Sequence, residues 1–294
     1  MNALKNYNYE NIALYLTFFL LWISIQFGEV VEDFLAYAMV ISIGILHGAN
    51  DLLILSIKDK KEKSLLKNLL IYISIILICL ITYFFSSFIA IILFVLLSAY
   101  HFGEEHLSDR INVNLIFNFF YFLAYGLLIF SLLFYQSIPD VDLIMIELTG
   151  LTFTENQIEI TLYTSGGYLF LASFYLFLKK EINYELFLKE LFYLLLLFLV
   201  FKTSSLILGF AIYFILWHSI PSIIHQIEFI SEDLNKKSVW LYVKKAMIYW
   251  IISIVGLLIL YKIVPEIDLF ATLVFVILFA VTAPHTWVMH KMKN

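Results

Sequence analysis

Charge is scarce in this chain. Asp, Glu, Lys and Arg make up 14% of its 294 residues, against roughly 25% in a soluble globular protein, so no sizeable water-soluble domain is hidden in it. Cysteine is scarcer still: Cys79 stands alone inside an apolar run, which excludes a disulfide framework. Proline occurs four times, so its positions carry weight. Lysines are few and fall between hydrophobic stretches, which speaks against a nucleic-acid-binding surface.

What is abundant is apolar. Hydrophobic residues reach 63%, mean hydropathy is +0.94, and 29 Phe and 19 Tyr are present. Aromatics in such number suit helices that face lipid and end in aromatic belts. The expected fold class is all-α, a single polytopic membrane bundle over residues 1–294. The N-terminal apolar run lacks an A-x-A-like cleavage site and reads as an uncleaved first helix.

A span needs about 20 mostly apolar residues. On that rule about ten fall near 10–28, 34–57, 65–84, 86–106, 113–136, 162–180, 185–202, 205–226, 241–263 and 267–290. The division at Lys202–Ser205 is the least marked. Basic residues cluster after even-numbered spans: Lys58 to Lys67, Arg110, Lys179 to Lys189, Lys236 to Lys245, and Lys291 with Lys293. Lys5 precedes the first span, and only Lys202 and Lys262 fall at opposite ends. The positive-inside rule then places both termini in the cytoplasm. The connection 137–160, with Asp140, Asp142, Glu147 and Glu155 among apolar residues, reads as an amphipathic lid or an ordinary ordered loop.

Ionisable residues inside a bilayer are costly and mark function. All seven histidines fall in the cytoplasmic halves of even-numbered spans. His47, His101, His218 and His285 are the deeper set, on four helices at matched depth; His106, His225 and His290 sit one to two turns shallower. One such histidine is usually a hydrogen-bonded packing residue. Four together point to a metal, which satisfies one nitrogen of each ring.

Local sequence supports a built site. His47 lies in GILHGANDLLIL, with Gly44 and Gly48 permitting close approach and Asp51 at i+4. His101 lies in SAYHFGEEH, with Glu105 at i+4. Ligating histidines donate their second N–H to a carboxylate, and Asp51 and Glu105 suit that role for the histidines one turn before them. His218 lies in LWHSIPSIIHQ, where Pro221 can kink the helix and Ser219 or Ser222 re-satisfy a freed carbonyl. His285 follows Pro284 in TAPHTWVMH. Imidazole coordination suits zinc, copper, iron or nickel, and spacing alone does not choose among them.

At these motifs the sequence resembles the Brp/Blh family of membrane β-carotene 15,15′-dioxygenases. HGAND at His47, SAYHFGEEH at His101, WHSIPS at His218 and APHTW at His285 carry the likeness in order, from the second span to the last. The resemblance implies a multi-spanning protein of the bacterial inner membrane that cleaves β-carotene with O2 into two retinal molecules. It further implies histidine-bound non-haem Fe(2+), and supply of retinal to a microbial rhodopsin. Carried over by position, His47, His101 and His218 are ligands, and the fourth is His285 or His225. Ser222 stands where some members have a histidine, and His106 where a carboxylate often follows HFG. Tyr100, Trp217 and Trp287, beside the histidines, are candidates to line a substrate tunnel.

Two rival readings differ in kind. A membrane hydroxylase or desaturase with two metals would carry HxxxH and HxxHH clusters, which this sequence lacks. A non-enzymatic carotenoid or retinal carrier would use the histidines only as polar packing.

Overall fold

The structure is a computed structural model, and it describes residues 2–58, 62–111, 113–263 and 270–293. Fourteen α-helical pieces make up the described chain, with no strand among them: α1 (Asn2–Phe27), α2 (Glu29–Met39), α3 (Ile45–Gly48), α4 (Asp51–Lys58), α5 (Glu62–Phe85), α6 (Ser87–Leu107), α7 (Leu115–Gln136), α8 (Ile138–Thr149), α9 (Glu155–Leu178), α10 (Tyr184–Thr203), α11 (Leu206–Ile212), α12 (Ile220–Ser231), α13 (Lys236–Ile263) and α14 (Phe270–Lys293). Two wide π-helical turns, Val40–Gly44 and Tyr213–Ser219, join α2 to α3 and α11 to α12. The chain is therefore an all-α polytopic membrane bundle.

Among the described residues, eight helical stretches are long and apolar enough to cross a bilayer. One of them, Glu29–Lys58, runs through the first π-turn and a turn at Ala49–Asn50. Two further predicted spans are helical without being among the eight. The segment predicted at 185–202 is α10, which carries Glu185, Lys189, Glu190 and Lys202. The last is α14; the start of its predicted range, 267–269, lies outside the described residues.

Helix starts follow their caps. Asn114, Thr154, Asn183 and Ser205 each accept the N–H of the third residue on, and Thr154 with Gln157 forms a full capping box. That box explains why α9 begins seven residues before the predicted 162. Ser204 and Ser205 divide the apolar run at the place the sequence marks least. Ser205 caps α11, and buried Glu32 accepts the Ser205 amide at 2.5 Å and the Ser24 hydroxyl at 3.1 Å.

The 137–160 connection contains a helix. Through Val141, Met145 and Leu148, α8 packs onto α6, α7 and α14, while Leu143 and Ile146 are exposed. Within the core α6 and α7 approach most closely, where glycine lets backbones touch. A Cβ at Gly103 would overlap the Phe122 carbonyl, and one at Gly126 the Ala99 carbonyl. Such small-residue contacts hold membrane helices together, since lipid offers little hydrophobic drive between them.

One end of the bundle carries the ions. Arg110 pairs with Glu10 at 2.7 Å and with Glu190, Lys189 pairs with Glu10, and His106 meets Glu190 at 2.8 Å. Lys293 reaches Glu105 at 3.1 Å. Glu10 of α1, Lys189 and Glu190 of α10, and the ends of α6 and α14 thus meet on one face.

Candidate metal centre

Each wide turn sits at a histidine. His47 follows the Val40–Gly44 turn within one helical turn, and His218 lies inside Tyr213–Ser219. Widened turns leave carbonyls without their usual helical donor, and other helices supply one. The Trp250 indole donates to the Ile41 carbonyl at 2.9 Å, and the Tyr9 hydroxyl to the Leu216 carbonyl. Pro221, which lacks an N–H, stands two residues after the end of the second wide turn. Neither Ser219 nor Ser222 serves a carbonyl there: Ser219 Oγ has no partner, and Ser222 Oγ points to Met289 Sδ at 3.8 Å.

The four deep histidines, all at most 3% exposed, converge. Ring centroids are 4.3 Å apart for His47 and His285, 4.8 Å for His101 and His218, 5.2 Å for His47 and His218, and 5.3 Å for His101 and His285. One nitrogen from each of His47, His101 and His285 lies within 4.8 Å of the other two. His218 borders this trio without belonging to it.

The hydrogen bonds leave nitrogens facing inward. His285 Nδ1 donates to Asp51 Oδ1 at 2.8 Å, and Asp51 Oδ2 accepts the Tyr72 hydroxyl at 3.2 Å. His47 Nδ1 faces the Gln226 amide at 3.5 Å; Gln226 Nε2 also donates to the His47 carbonyl, and Tyr242 donates to Gln226 Oε1 at 2.8 Å. The Nε2 atoms of His47 and His285, both nitrogens of His101, and His218 Nδ1 are buried without a partner. A buried polar atom without a partner costs roughly 1–3 kcal/mol. A cation among these lone pairs removes that cost, so the donor set fits a borderline metal such as ferrous iron.

The carboxylates depart from the i+4 expectation. Asp51 holds His285 rather than His47, because the break at Ala49–Asn50 restarts the helix between them. Glu105 accepts His225 Nδ1 at 2.8 Å and pairs with Lys293, while His101 has neither nitrogen bonded. His225 meets Asp109 with its other nitrogen at 3.5 Å and stands outside the cluster of four. Ser222 acts at one remove, accepting from Gln226 at 3.4 Å.

The three aromatics go to separate places. Tyr100 donates to Glu104 at 2.9 Å and packs on Phe119. Trp217 donates to Thr17 at 3.1 Å beside a polar pocket at the ionic face. Trp287 packs near Ile54 and Val288 under Lys291.

A sequence profile described as β-carotene 15,15′-dioxygenase matches residues 38–293. The chain belongs to the β-carotene 15,15′-dioxygenase family. It is accordingly an oxygen-dependent carotenoid-cleaving enzyme. Comparisons with curated proteins and with solved structures return no match. The matched region starts just before the first wide turn and ends with α14, so it includes every histidine of the cluster.

The sequence motifs did not point to Gln226, Tyr72 or Tyr242. Their sequence signal is modest: Gln226 is an amide in an apolar span, and the two tyrosines look like any of the other seventeen.

Proposed function

We propose that this chain is a membrane non-haem iron dioxygenase that splits β-carotene at its central double bond into two retinal molecules. The observation that carries the proposal is the cluster of buried, unpartnered imidazole nitrogens inside the family's matched region. His47, His101 and His285 would hold the ion, with His218 as the fourth ligand. Bound ferrous iron would supply the one-electron chemistry by which triplet O2 reacts with a closed-shell polyene.

The residues do the rest. Neutral imidazoles add no negative charge, so the centre keeps a net positive charge. The Asp51 carboxylate fixes the His285 tautomer with Nε2 free to ligate. Gln226, held by Tyr242, steadies the His47 ring. Burial in apolar helices keeps water from the reacting carbons. The balance is simple: one C=C and one O=O bond break and two C=O bonds form. No proton is gained or lost, so no general acid or base is needed.

The reading extends to location and use. The protein resides in the bacterial inner membrane with both termini cytoplasmic, draws β-carotene from the bilayer, and supplies retinal to a microbial rhodopsin. The test is expression in a bacterial host that accumulates β-carotene. Retinal should appear as the orange pigment fades, and a His101→Ala variant should insert in the membrane, retain no iron and leave β-carotene intact. Aldehydes of other lengths would move the bond attacked, and full iron content in His101→Ala would remove that residue from the ligand set.

A further inference from the structure

A cavity of about 110 Å³ lies under α8, lined almost wholly by apolar side chains, most of them from α6, α7, α8 and α11. A second opening lies between α6, α7 and α9 and shares Val95, Phe130, Phe134 and Phe153 with the first. Its rim includes Leu96 and Gln157, both exposed on the outside of the bundle. The two spaces adjoin across those four residues, which form the wall between the flank of α6 and α9 and the interior.

The inner end of this space approaches the histidines along two aromatic routes. Phe130, in the cavity wall, stacks on Phe102 at 5.4 Å, and Phe102 lies 4.4 Å from His218. Phe210, also in the wall, stacks on Phe214 at 5.2 Å; Phe214 lies 5.8 Å from His218 and 6.4 Å from His47. Gly44 seats this ring, since a Cβ there would come within 2.9 Å of Phe214 Cε1. Tyr100, Trp217 and Trp287 are not among the lining residues of either space.

We propose that the cavity under α8 binds one arm of the carotenoid, and that the arm enters from lipid between α6 and α9. The proposal rests on the carotenoid-cleaving reading above. The lining offers no polar partner beyond the Tyr37 side chain, which suits a hydrocarbon arm. The space ends at Phe130 and Phe210, each stacked on a ring, Phe102 or Phe214, that meets His218, so an arm lying in it points the polyene towards the metal centre with one layer of rings between. Phe153, at the α8–α9 junction, stands in both walls and forms the throat.

The test places a bulky side chain in the path and follows binding and turnover separately. Val95→Trp fills the shared wall, Ile144→Trp fills the cavity from α8, and Leu93→Trp adds the same bulk on an exposed face of α6 outside both spaces. Purified protein in β-carotene-loaded nanodiscs is assayed for retinal, and for carotenoid retained per protein after detergent washing without O2. In Val95→Trp, or in Ile144→Trp if the first does not insert, kcat/KM should fall at least about tenfold and retained carotenoid should drop. Leu93→Trp should match the unsubstituted protein in both. Equal activity and retention in all three variants would overturn the proposal. If the unsubstituted protein retains carotenoid without cleaving it, the dioxygenase reading fails. Retention alone then decides the cavity: its loss in the plugged variant upholds the site, and its persistence rejects it.

Discussion

Asp51 divides its two oxygens between Tyr72 and His285 and is 1% exposed. A carboxylate so buried needs both partners, and by holding Nδ1–H it directs His285 Nε2 into the cluster. Metal affinity measured by chelator competition should fall about tenfold in Asp51→Asn and about a hundredfold in Asp51→Ala. Glu105→Gln should leave that affinity near the unsubstituted value, because its partners are His225 and Lys293 rather than a histidine of the cluster. Equal losses in Asp51→Ala and Glu105→Gln would show that the i+4 pairing, and not the observed one, governs the centre.

At the scale of elements, the α6–α7 contact and the wide turns set the geometry. Gly126 and Gly103 have a neighbouring carbonyl where a Cβ would stand, so an added methyl must push α6 and α7 apart. Gly126→Ala should cost about 3 kcal/mol or misfold the protein, read as lost thermal stability in a fixed detergent. Gly256→Ala, with nothing within 4 Å of the added atom, should be neutral. His101 rides on the same α6 that Gly103 presses to α7, so the alanine at 126 should also reduce iron content. The wide turns at 40–44 and 213–219 were not legible in the sequence. Nothing in VISIG distinguishes it from a regular helix; the donors that satisfy the two turns, Trp250 and Tyr9, come from other helices.

Across the whole molecule, the ion network at one face joins segments far apart in sequence. Arg110 joins Glu10 to Glu190, with Lys189 and His106 completing the group. These side chains are largely buried, so removing the central cation leaves two carboxylates with reduced compensation. Arg110→Ala should lower stability by about 3 kcal/mol. The effect should appear as an earlier thermal transition, with the iron content of the folded fraction unchanged.

The sequence by itself determined the solvent and the helical class. Hydropathy is additive along the chain, and a buried histidine in lipid is costly wherever its helix packs. It was also enough to bring out the four deep histidines, because they repeat at one level on separate helices. Tertiary structure decided which polar group serves which. Asp51 turns from His47 to His285, and Glu105 from His101 to His225, because helix breaks and crossing angles decide which side chains face each other. The apolar space under α8 was equally hidden, since Phe, Leu and Val lining a cavity are the same letters as those facing lipid. Pairing and enclosure belong to the packed bundle, and no periodicity in one helix specifies its neighbours.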